Sequence, residues 1–336
     1  MRIRHFTIPV FIPEEACPNR CVFCNQHRIA GAECAPSIDE VIAKVDAHLE
    51  TIPDGSELEI GFFGGNFTGI PVEGQRAYLE AVQPYISAGR VSSIRISTRP
   101  DYINKDSLAM LRQYHVTSIE LGAQSLDNEV LKTAGRGHTE AQVLEASVMI
   151  REAGFKLGLQ MMIGLPGDTA EKSLRTAMEI IRLGAECTRI YPTLVIKNTE
   201  LEQLFHEGRY QPLSLEEAVK QVAEIVPYFI SAGVKILRIG LHPSEGLLDN
   251  TSLVAGPFHV AFGEMVFSEI WRRILLKLDY ENPKRNLLTL TVSQGMKNAA
   301  IGHKAMNKAM LLQDFRKVIF DESADLKGLE YHAHTA

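Results

Sequence analysis

Cys17, Cys21 and Cys24 stand in the run ACPNRCVFCNQ, spaced C-x3-C-x2-C directly after an apolar, strand-like segment. Three thiolates on one short loop can hold three irons of a cubane cluster and leave the fourth iron without a protein ligand. A small molecule can chelate that bare iron and accept an electron there, and the cluster's potential answers to charge, hydrogen bonding and solvent access. The competing use of the same thiols is a zinc site with Cys34 as fourth ligand, although no second C-x2-C or H-x3-H pair accompanies them. Five cysteines, three of them clustered, argue against a disulfide framework and for a reducing, cytoplasmic setting.

Those thiols need a scaffold, and the chain alternates strand-like with helical periods. Strand-like runs fall at 5–12, 57–63, 92–98, 117–122, 156–163 and 186–195, separated by helical periods at 37–51, 72–87, 105–114, 139–153 and 169–183. Ser37 with Glu40 makes a capping box, Asp168 and Thr169 open a helix, and Gly154 closes one. Six strand–helix repeats predict an α/β fold of parallel strands with right-handed crossovers, too few for a closed eight-stranded barrel. A six-stranded partial barrel, with ligands at the carboxyl ends of its strands, fits the pattern. After 196 come helices at 199–207 and 214–232, a strand at 234–241, and a loop at 242–257 expected to lid the open mouth. A helix at 259–278, a strand at 286–293 and a helix at 302–318 follow. Residues 1–245 are expected to form the barrel core and 246–336 a small α+β extension, with 280–286 as linker.

At 336 residues, 45% hydrophobic and 23% charged, the composition is that of an ordinary globular protein. No apolar run approaches the ~18 residues of a membrane span, and the N-terminal stretch lacks a small-residue cleavage site, so it reads as a first strand. No membrane or DNA partner is expected. The net charge of −6 makes no global argument for nucleic acid. Between Trp271 and Lys317, however, ten basic residues face three acidic ones, a net of +7. Such asymmetry points to an anionic partner or to a solvated helical face.

Each strand ends on residues suited to a polar ligand. The second exits through Gly64-Gly65-Asn66, where two glycines let backbone approach a ligand closely. The third ends Ser97-Thr98-Arg99, the fourth Glu120-Leu121-Gly122-Ala123-Gln124 with Gly135-Arg136-Gly137-His138 beyond, the fifth carries Gln160, and the sixth Tyr191 and Leu194. This ordered series, through FFGGNFT, STRPDYI, ELGAQS, GRGHT, MMIGLPGDT and YPTLVIKNTEL, resembles the radical S-adenosylmethionine (SAM) core of Elongator's catalytic subunit from Cys17 to about Glu245. It resembles oxygen-independent coproporphyrinogen oxidase more distantly.

The resemblance implies that Cys17, Cys21 and Cys24 ligate a 4Fe-4S cluster and that Phe23 shields it near the adenine. It implies that Gly64, Gly65 and Asn66 form the glycine motif holding the SAM amino group, and that Ser97 and Gln124 reach the polar groups of SAM. Arg136 would pair with its carboxylate, Gln160 would stand where the coproporphyrinogen enzyme has a ribose-binding acid, and backbone at Leu194 would meet the adenine. Packing inside a barrel is the competing use of Ser97, Gln124 and Gln160, and a surface ion pair that of Arg136. Tyr191 is a candidate substrate contact, as is His242. The implied activity is reductive cleavage of SAM to a 5′-deoxyadenosyl radical, fed by flavodoxin or ferredoxin, for modification of RNA, tRNA in particular. Elongator's N-terminal RNA-binding region and its acetyltransferase module are expected to be absent, which suggests a shorter bacterial group built from this core.

Two other readings compete: the same radical chemistry on a small molecule, and a non-catalytic RNA-binding protein with a structural metal. Finally, Gly302-His303-Lys304-Ala305 looks loosely like the G-x-x-G loop of KH domains, with alanine replacing the second glycine. A plain helix start is the preferred reading there.

Overall fold

The computed structural model describes residues 4–13, 17, 21–25, 34–53, 55–278 and 287–335. Seven parallel strands form one open sheet in the order β1 (His5–Ile12), β2 (Glu57–Gly64), β3 (Ser93–Thr98), β4 (Val116–Gln124), β5 (Lys156–Ile163), β6 (Cys187–Pro192) and β8 (Lys235–Ile239). The partial barrel therefore has seven strands where six were expected. The seventh is the 234–241 segment, which a helical crossover returns parallel to β6 with Cys187 opposite Lys235. Strands and helices otherwise fall within a residue or two of expectation through residue 192. Ser37 and Glu40 make the capping box expected for α1 (Ile38–Thr51).

Register sorts the side chains into two faces. Ile96, Ile119 and Leu157 lie in one row, and the core beneath α2 (Val72–Ser87), α3 (Lys105–Gln113), α5 (Glu140–Glu152) and α6 (Ala170–Arg182) takes that face. The next row is Ser97, Glu120, Gly158 and Cys187, on the concave side, where polar groups collect. Between β4 and β5, Asp127 caps α4 (Asn128–Thr133).

Two expectations between 193 and 257 are corrected. The sixth strand breaks at Thr193-Leu194. A second strand, β7 (Val195–Ile196), pairs antiparallel with β9 (Leu253–Ala255). The 242–257 segment is thus more than a loop: it holds α9 (Glu245–Leu248) and β9, and Leu247 is buried against Leu194 and Ile196. Helices α7 (Glu200–His206) and α8 (Leu215–Ser231) lead to β8.

Helix α10 (Phe262–Leu275) serves two cores, giving Phe262, Val266 and Ile270 to the barrel and Trp271 and Leu275 to a second cluster. That cluster lies under a three-stranded sheet, β11 (Lys317–Ser323), β10 (Leu287–Ser293) and β12 (Tyr331–Thr335). The helix expected at 302–318 is instead α11 (Lys297–Ile301), a turn, and α12 (Met306–Leu311), followed by β11. The break has a local cause, since Gly302, Lys304 and Ala305 all have positive φ. From Lys317 the burial alternates, with Val318 and Phe320 inward, which is the period of a strand. The plain helix start preferred at 302 is overturned by the same geometry. The linker expected at 280–286 lies outside the described residues.

Candidate active site

The cysteine loop follows β1 and is fixed from two sides: Val22 donates its N–H to Ala134 (3.1 Å) and accepts from Leu201 N–H (2.7 Å). Phe23 packs into a small cluster with Val130, Leu165, Leu201 and Tyr210, which closes one flank. The β2 exit turns sharply beside it. Gly64 has φ of +118°, and a Cβ there would sit 1.9 Å from the Ile12 carbonyl oxygen, so only glycine fits.

One cavity of about 120 Å³ opens between these elements, lined by Cys17, Cys21, Phe23, Cys24, Gly64, Gly65, Ser97, Thr98, Arg99, Gly122, Gln124, Arg136 and Gln160. Ten of the fourteen site residues singled out in the sequence line it together; Asn66, Tyr191, Leu194 and His242 do not. Asn66 stands behind, its side-chain oxygen accepting from Thr98 Oγ1 (2.7 Å) and from Arg99 N–H (3.2 Å). It orders the β3 exit instead of facing the cavity. Tyr191 and Leu194 are outside the lining. Tyr191 lies half-buried beside Arg189 and Arg238, and loss of solvent around its hydroxyl holds it above its ordinary range. Leu194 packs with Ile196 and Leu247, its backbone close to Gly256.

Arg136 is the decisive cation. It is 7% exposed, donates Nη1 to Cys21 Sγ (3.2 Å) and Nη2 to the Gly122 carbonyl (2.6 Å), and leaves Nε without a partner. It pairs with no carboxylate among the described residues. A buried guanidinium without an anion is costly, and it suits a carboxylate-bearing ligand, for which arginine's fork is shaped. Arg99 Nη1 and Gln124 Oε1 are further buried polar atoms with no partner, both on residues of the cavity wall. Gln124 holds φ of +66°, a conformation unusual outside glycine. A Cβ on Gly122 would come within 3.1 Å of its amide.

Below Gln160 lies a group the sequence reading quoted without assigning a role. Glu120, 1% exposed, accepts from Arg189 Nε (2.7 Å), Arg95 Nη1 (3.1 Å) and Gln160 Nε2 (3.0 Å), while Arg95 Nε also pairs with Glu59 (2.7 Å). Burial pushes the Glu120 carboxyl up, but the bonds and charges of Arg189 and Arg95 outweigh it, so the group stays below its usual range. The negative charge that Gln160 lacks is therefore present one layer down. The available signal was an acid inside an apolar strand, with an arginine on each of two other strands of the sheet: Arg95 opposite Ser118, two residues before Glu120, and Arg189 opposite Gln160. Thr98 and Arg99 likewise line the cavity, although the sequence reading placed them only at its rim. His138, at the far end of the Arg136 turn, is held down to about 3 by burial and by the charges of Arg136 and Arg99.

Cys34 is exposed and does not line the cavity. Among the described residues no group of three or more metal-donor side chains is gathered tightly enough for one ion. Three thiols lining one cavity suit a cluster whose irons are each held by a different thiolate.

The sequence pattern of the radical SAM superfamily matches residues 11–180, and that of the radical SAM C-terminal domain matches 185–272. This chain belongs to the radical SAM superfamily. It is 27% identical over 259 residues to the tRNA uridine(34) acetyltransferase of Dehalococcoides mccartyi (strain CBDB1), covering 66% of this chain and 56% of that one. It is 25% identical over 301 residues to the protein of the same name from Methanocaldococcus jannaschii, covering 77% and 54%. The chain thus spans about half the length of these curated relatives. Among solved structures, the Methanocaldococcus infernus Elp3 with an N-terminal deletion shares the fold at a TM-score of 0.64 and 22% identity, over 81% of this chain and 64% of that one. As a radical SAM enzyme the chain resembles Elongator's catalytic subunit, and its parallel partial barrel is the fold that family implies.

Proposed function

We propose that this radical SAM enzyme binds a 4Fe-4S cluster through Cys17, Cys21 and Cys24, and uses SAM to modify tRNA. The observation that carries the cofactor half is the buried Arg136, with no carboxylate partner among the described residues, facing the same cavity as the three thiols. The residues present fit the implied groups: three thiols for the cluster, and unpaired guanidinium and amide atoms for an amino-acid headgroup. When bound, the cluster and SAM supply a one-electron reductive cleavage that yields a 5′-deoxyadenosyl radical.

The protein's own part is positioning and exclusion. Arg136 would hold the SAM carboxylate, backbone at Gly64 and Gly65 its amino group, and Ser97, Gln124 and Gln160 its remaining polar atoms. Glu120 would fix Gln160 from beneath. Phe23, packed into its cluster, keeps water from the thiol side. Tyr191 would contact substrate, and backbone at Leu194 the adenine. The barrel core, 1–245, would carry the chemistry and 246–336 would grip the substrate. A low-potential flavodoxin or ferredoxin in a reducing cytoplasm would feed the electron. No helix among the described residues is long and apolar enough to cross a membrane.

The assignment to tRNA is supported by the similarity to tRNA uridine(34) acetyltransferases and by the basic C-terminal stretch. Nucleoside mass spectrometry of tRNA from a deletion strain tests it. A modified nucleoside lost in the deletion and restored by the wild-type chain, but not by a Cys21→Ala chain, is the expected result. Unchanged tRNA alongside an altered small metabolite would move the substrate to the competing class.

A further inference from the structure

The C-terminal unit is built as strand, helix, four-residue turn, helix, strand. β10 and β11 are parallel neighbours, Leu287 opposite Lys317, and α11 and α12 join them across Gly302-His303-Lys304-Ala305, while β12 completes the sheet antiparallel to β10. A parallel crossover is ordinarily one helix. Here it is cut by a turn with φ of +89° at Gly302, +52° at Lys304 and +59° at Ala305.

Left-handed backbone at two successive non-glycine residues is unfavourable and persists only where surroundings impose it. They do so here. His303 N–H donates to Ser268 Oγ (2.6 Å), and Ala305 N–H donates to the Gly302 carbonyl (2.8 Å). Asn307, 2% exposed, donates Nδ2 to the Ser268 carbonyl (2.9 Å). The space over Gly302 is also closed, since a Cβ there would lie 2.9 Å from Asn307 N. Helix α10 therefore holds a strained turn outward, with Lys304, Ala305 and Met306 exposed.

The charges separate in the same way. Arg272 and Arg273 are engaged by Glu269, and Arg273 also by Glu224, so part of the +7 stretch is already neutralised. Lys297, Lys304, Lys308, Arg316 and Lys317 make no ion pair among the described residues. Glu264, which reaches the turn from α10, is taken up by the His303 ring at 3.1 Å.

We propose that the turn 302–305, with Lys304 and Lys308, clamps the sugar–phosphate backbone of a single-stranded stretch of the RNA substrate. The proposal rests on the RNA reading above and adds where the RNA is gripped. The chemistry is that of KH domains, in which a turn between two short helices holds about four nucleotides of backbone. The methyl side chain at 305 leaves the exposed main chain of 304–306 open to phosphates, and Lys304 beside it supplies the charge, while Gly302 is packed against Asn307 and sets the turn. Ala305 in place of the second glycine keeps the backbone shape at the cost of strain.

Fluorescence anisotropy on the full-length, cluster-loaded protein tests this, with an unmodified tRNA transcript and an unstructured oligoribonucleotide of about eight nucleotides, over a range of salt. The Lys304→Glu/Lys308→Glu variant should weaken both complexes on the order of tenfold, and the dependence of log Kd on log salt should flatten by about 0.7 for each cation lost. A Lys304→Gln/Lys308→Gln variant should lie between, and Ala305→Gly should bind at least as tightly as wild type. The charge-matched control Lys44→Glu/Lys235→Glu, on the barrel, should stay within about twofold of wild type. Melting temperatures measured in parallel confirm that each variant is folded. Wild type that binds RNA while the 304/308 variants bind equally well, or weaken no more than the control, overturns the clamp and leaves the RNA reading standing. Wild type that binds no RNA overturns both.

Discussion

Arg136 and Glu120 divide the labour of charge in this site. The first is a buried cation with no carboxylate partner among the described residues. The second is a buried anion fully engaged by Arg95, Arg189 and Gln160. Removing one member of such a network strands the others, a loss of about 3–5 kcal/mol. Glu120→Ala should therefore lower the melting temperature sharply and weaken SAM binding through a loosened Gln160. A variant within about 1 kcal/mol of wild type would show the network to be incidental. His138 makes a separate, pH-dependent prediction. Its folded-state pKa of about 3 lies below the ordinary histidine value, so the unfolded chain takes up a proton that the folded one refuses. Its contribution is complete above pH ~6.5 and is lost as pH falls from there toward 3, by up to about 1.4 kcal/mol per pH unit. Urea midpoints at pH 7.5 and 5 should diverge for wild type and much less for His138→Gln. Equal divergence in both would assign the effect elsewhere.

At the scale of elements, the site is a set of strand exits, each shaped by one local peculiarity. The β2 exit depends on Gly64, whose Cβ position is filled by the Ile12 carbonyl. Gly64→Ala should cost at least the ~1–3 kcal/mol of a forced backbone and abolish SAM binding in equilibrium dialysis. Near-normal binding would remove this exit from the site. These exits were legible in the sequence because parallel strands repeat with a helix between them and put their polar residues at the same end. Cys17, Gly64, Ser97 and Gln124 follow that rule, Gln160 lies within β5 and Arg136 in the turn after α4, and all six face one cavity. Glu120 was harder to read, because its partners Arg95 and Arg189 lie 25 and 69 residues away and only the sheet register joins them. The break at Thr193-Leu194 was missed because a continuous apolar run hides a change of partner from β5 to β9.

Across the whole molecule, α10 ties two cores together, and that connection explains the largest departure from expectation. A helix was expected over 302–318 because its residues are helix formers. The burial of Val318 and Phe320 in the second core makes the segment from Lys317 a strand instead. Tertiary packing overrode local propensity there. The result is a barrel that gathers three thiols and Arg136 around one cavity, joined by a shared helix to a small unit whose Lys304 and Lys308 make no ion pair among the described residues. The central claim is that Cys17, Cys21 and Cys24 hold a cluster at which SAM is cleaved. Anaerobic reconstitution followed by addition of SAM and a reductant tests it most directly. About four irons and four sulfides per chain, with reductant-dependent 5′-deoxyadenosine that disappears in Cys21→Ala, is the predicted result. A chain that takes up a single zinc, or a Cys21→Ala variant that cleaves SAM as wild type does, would contradict the account.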